Sequence, residues 1–416
     1  MKKKVLSLLL VAAMGVSMLV GCGGNGTNAG GTEGGNKTDA SAKKITIWVA
    51  DNIVDFTKEQ AAAWQKANSD YADFEIVVEA VGEGDAAGNV ITDVSGAGDI
   101  FGFAQDQTAR LVSAGALTPL SDAEVKVVTD ANDAGAVNAA TVGGKVVAYP
   151  VTSDNGYFLF YDKSVVTDPS TIESIVADCA KAGKQFYYEM NSGWYQPSLF
   201  FGAGCELTYE TATDGTFTSC NISYANEKGL ACLKTMIDLH KNSAYVNGSD
   251  AGAATNYAAI VTGTWAAGTI KEALGDNYAC AKLPTFGGTQ MGGFSGYKLL
   301  GVKVQEDATK LAACKSLAAY LSSEEVQLAR YKAVGWGPSN LKAQANADVQ
   351  ADVALSALRA QLEYMIPQGQ YPGDYWSRAT ALGDSVIAGE FDNYSDDELM
   401  AVLQQFEKDC KSYAGQ

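Results

Sequence analysis

A single histidine, His240, and four arginines, Arg110, Arg330, Arg359 and Arg378, serve a chain of 416 residues. Chemistry that relies on imidazole as base, nucleophile partner or metal ligand is all but excluded by that count. Positive charge is scarce in general: 30 Lys+Arg stand against 48 Asp+Glu, a formal net charge of −18. A nucleic-acid binder needs a cationic footprint to displace counterions from phosphate, and this chain repels phosphate. There is no C-x-x-C pair, no zinc spacing and no G-x-S-x-G elbow. Beyond the N-terminus no run reaches the ~18 to 20 apolar residues of a spanning helix. What remains is a composition 47% hydrophobic and 10% aromatic, ample for sizeable cores, and a length that at ~150 residues per domain predicts two to three domains.

The N-terminus reads as an address. Lys2, Lys3 and Lys4 precede an apolar run from Val5 to Val20, and Leu19-Val20-Gly21-Cys22 has the form of a bacterial lipobox. The reading is a lipoprotein signal peptide over 1–21, with a diacylglycerol-bearing thiol at Cys22. Losing those three lysines takes the net charge from −18 to −21. Residues 22–43, rich in Gly, Asn and Thr without a large apolar side chain, read as a flexible linker. Such a protein is expected outside the cell, held to the outer face of the membrane only through the Cys22 lipid.

Further on, strands and helices alternate. Lys44–Ala50, Phe74–Ala80 and Asp99–Phe103 have strand character, with helical stretches at 56–67, 86–95 and 108–114. This βαβαβ rhythm predicts a parallel, doubly wound α/β sheet whose ligand loops follow Trp48, Ala80 and Phe103. Strands at 145–151 and 157–163, joined through the polar turn 152–156, fit a crossing between domains. A return strand is expected at 297–302, and a capped helix after Ser395-Asp-Asp-Glu398. Cys205 and Cys220 bracket an Asp214-Gly215 turn, so a disulfide between them is a possible pairing. The seven cysteines beyond Cys22 otherwise read as small buried hydrophobes.

Gly82-Glu-Gly-Asp-Ala-Ala87 matches a dinucleotide fingerprint in letters, but Glu83 and Asp85 would face a pyrophosphate. A turn that lends a carboxylate to a cleft is the better reading. Aromatic residues cluster beside turns at Trp194-Tyr195, Trp265, Trp336 and Tyr375-Trp376. A ring face is a flat apolar platform matching the C–H face of a sugar, at on the order of 1 kcal/mol per stack. Sugar hydroxyls then require carboxylate or amide partners, because each buried unpaired polar group costs about 1–3 kcal/mol.

The runs GDIFGFAQDQTARLVSAGALTPLS (98–121), GGKVVAYPVTSDNGYFLFYDKSVV (143–166), VTGTWAAG (261–268), KLPTFGG (282–288) and IPQGQYPGDYWSRATALGDSVIAG (366–389) follow KITIWVA (44–50) in a fixed order. In sequence and order they resemble the maltodextrin-binding proteins, the extracellular solute-binding subunits of carbohydrate ABC importers. The resemblance implies two α/β lobes of the periplasmic-binding-protein type, joined by hinge strands, with the ligand cleft between them. It implies one lobe of 44–152 plus about 290–335, and another of about 153–289 plus 336–416. Asp106 matches a sugar-binding aspartate, while the family's adjacent arginine is Gln107 here. Phe103 matches a site tryptophan. Asp154 and Asn155 fall where the family has a glutamate on the crossing strand. Asp51 or Asn52 fits the loop after the first strand, and Glu83 or Asp85 the next. Trp194 and Tyr195, with Asn191 upstream, lie beside the family's aromatic pair; Trp265 and Trp376, with Tyr375, match its stacking tryptophans.

Together these readings predict a monomeric, lipid-anchored binding protein for neutral oligosaccharides, most simply maltooligosaccharides, serving the membrane subunits of an ABC importer. No cofactor, metal, nucleic acid or catalysis is expected. Another neutral oligosaccharide, a polyamine, or a surface glycosidase acting through paired carboxylates are the alternatives.

Overall fold

The computed structural model describes residues 43–415. The expected signal peptide, Cys22 and all of the expected linker but Lys43 lie outside them. Ten strands, numbered along the chain, build two five-stranded sheets. β1 (Lys44–Val49), β2 (Glu75–Ala80), β3 (Ile100–Ala104) and β4 (Ala148–Thr152) belong to the first. β5 (Tyr157–Asp162), β6 (Gln185–Tyr187), β7 (Tyr245–Val246), β8 (Tyr257–Gly263) and β9 (Tyr278–Ala281) form the second, and β10 (Lys298–Val302) returns to the first. The spatial orders are β2-β1-β3-β10-β4 and β7-β6-β8-β5-β9.

In β1, Ile45, Ile47 and Val49 alternate inward, as the period of a half-buried strand requires. β1 runs parallel to β2 and β3, with Ile47 opposite Ile100. The helix Val54–Ala67 crosses between β1 and β2 and buries Ala61 and Trp64. The parallel pairing expected over β1 to β3 is present, and the return strand β10 runs antiparallel to both β3 and β4. The cause is the short path of return. The chain re-enters from the second lobe through Gly296 and Tyr297, without a crossover helix, so it descends from the end at which the parallel strands finish. Lys298 therefore pairs with Ala104, the last residue of β3, and with Thr152, the last residue of β4.

Two main apolar cores follow from this path. The first gathers residues between Ile45 and Val151, Leu299 to Val326, and Trp336. The second gathers Tyr157 to Phe294 and Tyr371 to Ala414. This is a two-lobed α/β architecture, crossed by three segments that hydrogen-bond side by side. Ser153 N donates to Gly337 O at 3.0 Å, and Asn155 N to Gly296 O at 3.1 Å. Among the described residues no helix is long and apolar enough to cross a membrane.

Two local expectations resolve differently. Ser395 and Glu398 do form a reciprocal capping box at the start of the helix Asp396–Ser412. Cys205 and Cys220, in contrast, form no disulfide. The hairpin Leu207–Thr211 with Phe217–Ile222 sets Cys220 opposite Tyr209, so Cys205 lies four residues away along the partner chain.

Candidate functional site

β1 to β4 all end at one edge of the first sheet, and β10 begins there. The segments at that edge line a cleft of 570 Å³ facing the second lobe. Its walls include Asp51, Asn52, Glu83, Asp106, Gln107 and Asn155 from the strand ends, and Trp194, Trp265, Trp336 and Trp376. Four of the chain's six tryptophans thus meet at one site.

Three of the rings are held from behind. Trp194 stacks on Phe294 at 5.2 Å between centroids and meets Tyr157 edge-on at 5.5 Å. Trp376, in the first turn of the helix Gly373–Ile387, leans on Tyr371 and Tyr375 at 5.5 and 4.9 Å. Trp265 follows β8 in a 3₁₀ turn and packs against both lobes' cores. Gly263 makes room for it, since a Cβ there would stand 2.1 Å from the Trp265 ring. Gly263→Ala is accordingly expected to push the indole aside and weaken ligand binding about tenfold with the fold intact, read by ligand titration beside a thermal melt. Unchanged affinity would show that the Trp265 face is not used.

The polar groups differ in what they have left to offer. Gln107 is spent on the chain itself: Nε2 donates to Glu83 O at 2.8 Å and Gly84 O at 3.0 Å, and Oε1 accepts from Ala87 N at 3.1 Å. It pins the Gly82–Gly84 loop at the cleft wall. The Asn155 amide donates to Gln368 Oε1 at 3.4 Å. Asp106 is buried, and burial pushes its carboxyl up to about 7, opposed by the Arg110 charge and a Gln368 hydrogen bond. Hydroxyls that donate to this carboxylate stabilise its ionised form. Ligand affinity should therefore be level above about pH 7 and fall as pH drops through 7, by up to tenfold per unit, with the lost affinity appearing as protons released on binding. Titrations between pH 5.5 and 8.5 check this, and a flat profile would mean that the ligand does not touch Asp106.

Five expected site residues lie outside the cleft. Phe103 is fully buried in the first core, its ring 5.8 Å from that of Phe101. Tyr195 packs 4.9 Å from Tyr157, and the buried Tyr375 donates from its hydroxyl to Gly193 O at 3.1 Å. Adjacent residues in a turn or helix point apart, so only one member of each aromatic pair can reach the ligand side. The Asn191 amide is used up, donating to Asp384 Oδ1 and accepting from Asn247 Nδ2, both at 2.8 Å. Asp154 sits beneath the crossing strands, where Oδ2 accepts from Thr264 Oγ1 at 2.5 Å and Gly337 N at 2.6 Å. Asp85, the alternative to Glu83, is not on the cleft wall either. Sequence reasoning left out Lys298 and Gln368, and it counted Trp336 among the aromatic clusters without assigning it to the site. A lysine heading the apolar run Lys298–Val302 was the available signal. Among the described residues no group of His, Cys, Asp and Glu is arranged to hold a metal ion.

The family description "bacterial extracellular solute-binding protein" matches residues 59–357. No curated protein matches the chain. A solved structure with acarbose is 26% identical, at a TM-score of 0.77 over 89% of this chain and 98% of that one. The maltodextrin binding protein of L. casei BL23 without ligand is 24% identical, with a TM-score of 0.70 over 88% and 98%. The Thermus thermophilus maltotriose binding protein bound with maltotriose is 20% identical, with a TM-score of 0.73 over 87% and 98%. The last two likenesses are of fold.

Proposed function

The chain belongs to the bacterial extracellular solute-binding proteins, a family of binding proteins and not of enzymes, and from that premise we propose that it captures neutral oligosaccharides, maltooligosaccharides first among them. One observation carries this reading: four tryptophans and the acceptors Asp51, Glu83 and Asp106 converge on one cleft between two lobes. Its 570 Å³ falls within the ~300–1,000 Å³ of small-molecule sites. Rings offer faces to sugar C–H groups, and carboxylates accept from the hydroxyls at their rim. The 26%-identical structure with acarbose, a pseudo-oligosaccharide, supports the same class of ligand.

In this account the lobes are 44–152 plus about 290–335, and about 153–289 plus 336–416. They hinge at the three crossing segments and close on the sugar. The closed form, favoured because the ligand binds it more tightly, presents its surface to the membrane subunits of an ABC importer. Cys22 carries the lipid that holds the monomer at the outer face of the cell membrane.

Intrinsic tryptophan fluorescence tests the ligand class, since most of its sources line the cleft. A saturable change with maltotriose and none with galacturonate oligomers is the expected result. A response to no neutral sugar would end the proposal.

A further inference from the structure

Among the described residues Lys298 is the one Lys or Arg on the cleft wall, and it is 5% exposed. A buried ammonium must be compensated or its burial is costly. Its compensation here is unusual. Nζ lies 3.5 Å from the ring centroid of Trp336, 5.4 Å from that of Trp265, and 3.9 Å from Glu83 Oε2. Tryptophan faces with a carboxylate beside them are the composition of a site for an organic cation. The cleft thus contains a cation site, and the chain's own lysine fills it.

We infer that Lys298 determines specificity: its ammonium occupies the cation site made by Trp336, Trp265 and Glu83, and so closes the cleft to cationic ligands, polyamines above all. Without it, Asp51, Glu83 and Asp106 beneath four indoles would draw positive ligands. With it, the Trp336 face is taken and Glu83 has a cationic partner 3.9 Å away. The faces of Trp194 and Trp376 are left to ligands that are rich in oxygen and uncharged. The identity of the admitted ligand rests on the proposed function; the exclusion of cations does not. Were Lys298 only a structural partner of Glu83, its replacement would alter stability without creating a new ligand.

Calorimetric titrations of the whole protein with spermidine, and in parallel with maltotriose, separate these cases. Wild type is expected to give no spermidine binding at millimolar concentration. Lys298→Met vacates the ring face and should gain spermidine affinity by about thirtyfold or more, as a desolvated cation–π contact allows. Lys298→Arg keeps the charge over the ring and should stay closed. If Lys298→Met does not melt cooperatively, Lys298→Gln removes the same charge and carries the same expectation. Charge-removing variants as indifferent to spermidine as wild type, or a wild type that binds it, would overturn the inference. Failure of the oligosaccharide reading looks different: wild type silent to maltotriose, with Lys298→Met still taking up spermidine.

Discussion

Trp376→Ala is expected to lower maltotriose affinity by about a hundredfold. The indole is half-buried at the start of its helix, held by Tyr371 and Tyr375 on one side and facing the cleft on the other. Covering that open face with a sugar ring removes apolar area worth about 2 kcal/mol, and the stack adds about 1 kcal/mol. Together about 3 kcal/mol corresponds to roughly a hundredfold in Kd. Trp376→Phe keeps a ring in place and should lose less than tenfold. Calorimetry on the two variants reads both effects, and a thermal melt reports whether the supporting tyrosines stay packed. An alanine variant within threefold of wild type would remove Trp376 from the ligand's footprint.

The second large effect is one of stability. Asp154→Ala should cost about 3 kcal/mol, seen as a lower urea midpoint with the slope unchanged. The buried carboxylate accepts from the Thr264 hydroxyl and the Gly337 amide, and so joins the first crossing segment to the third and to the turn that carries Trp265. Removing it strands two buried donors, each costing about 1–3 kcal/mol. Because one of them leads into the Trp265 turn, the surviving folded protein should also bind ligand more weakly. A midpoint within error of wild type would mean that these crossings are held by their backbone hydrogen bonds alone.

The sequence made β1 legible because its apolar residues alternate inward, and the other strands of the first sheet because β-branched and aromatic residues gather in short runs between turns. It made the loops at their ends legible because the ends of parallel strands are where such sheets leave backbone uncovered. That rule points to the loops after Trp48, Ala80 and Phe103; the family resemblance picked out Asp51, Asn52, Glu83, Asp106 and Asn155, and the cleft wall includes all five. What stayed hidden depends on direction and register. Trp194-Tyr195 and Tyr375-Trp376 look alike in a string of letters, and only the turn decides which ring faces outward. The pairing of Cys220 with Tyr209 is a matter of hairpin register, which the Asp214-Gly215 turn does not fix. Lys298 was obscured because a lysine at a strand start ordinarily ends in solvent; its burial over Trp336 needs a ring from residues 38 positions later. Gln107 passed for a ligand group until its amide was found spent on the neighbouring loop.

The most direct test of the account is one calorimetric titration of the wild-type protein with maltotriose at pH 8, above the titration of Asp106. The account predicts saturable binding with one sugar per chain and a negative heat-capacity change, as burial of sugar C–H faces against indoles requires. Absence of binding, with a clear response to xylotriose in the same cell, would contradict the α-glucan reading while keeping an oligosaccharide cleft. Absence of binding to both would contradict the central claim.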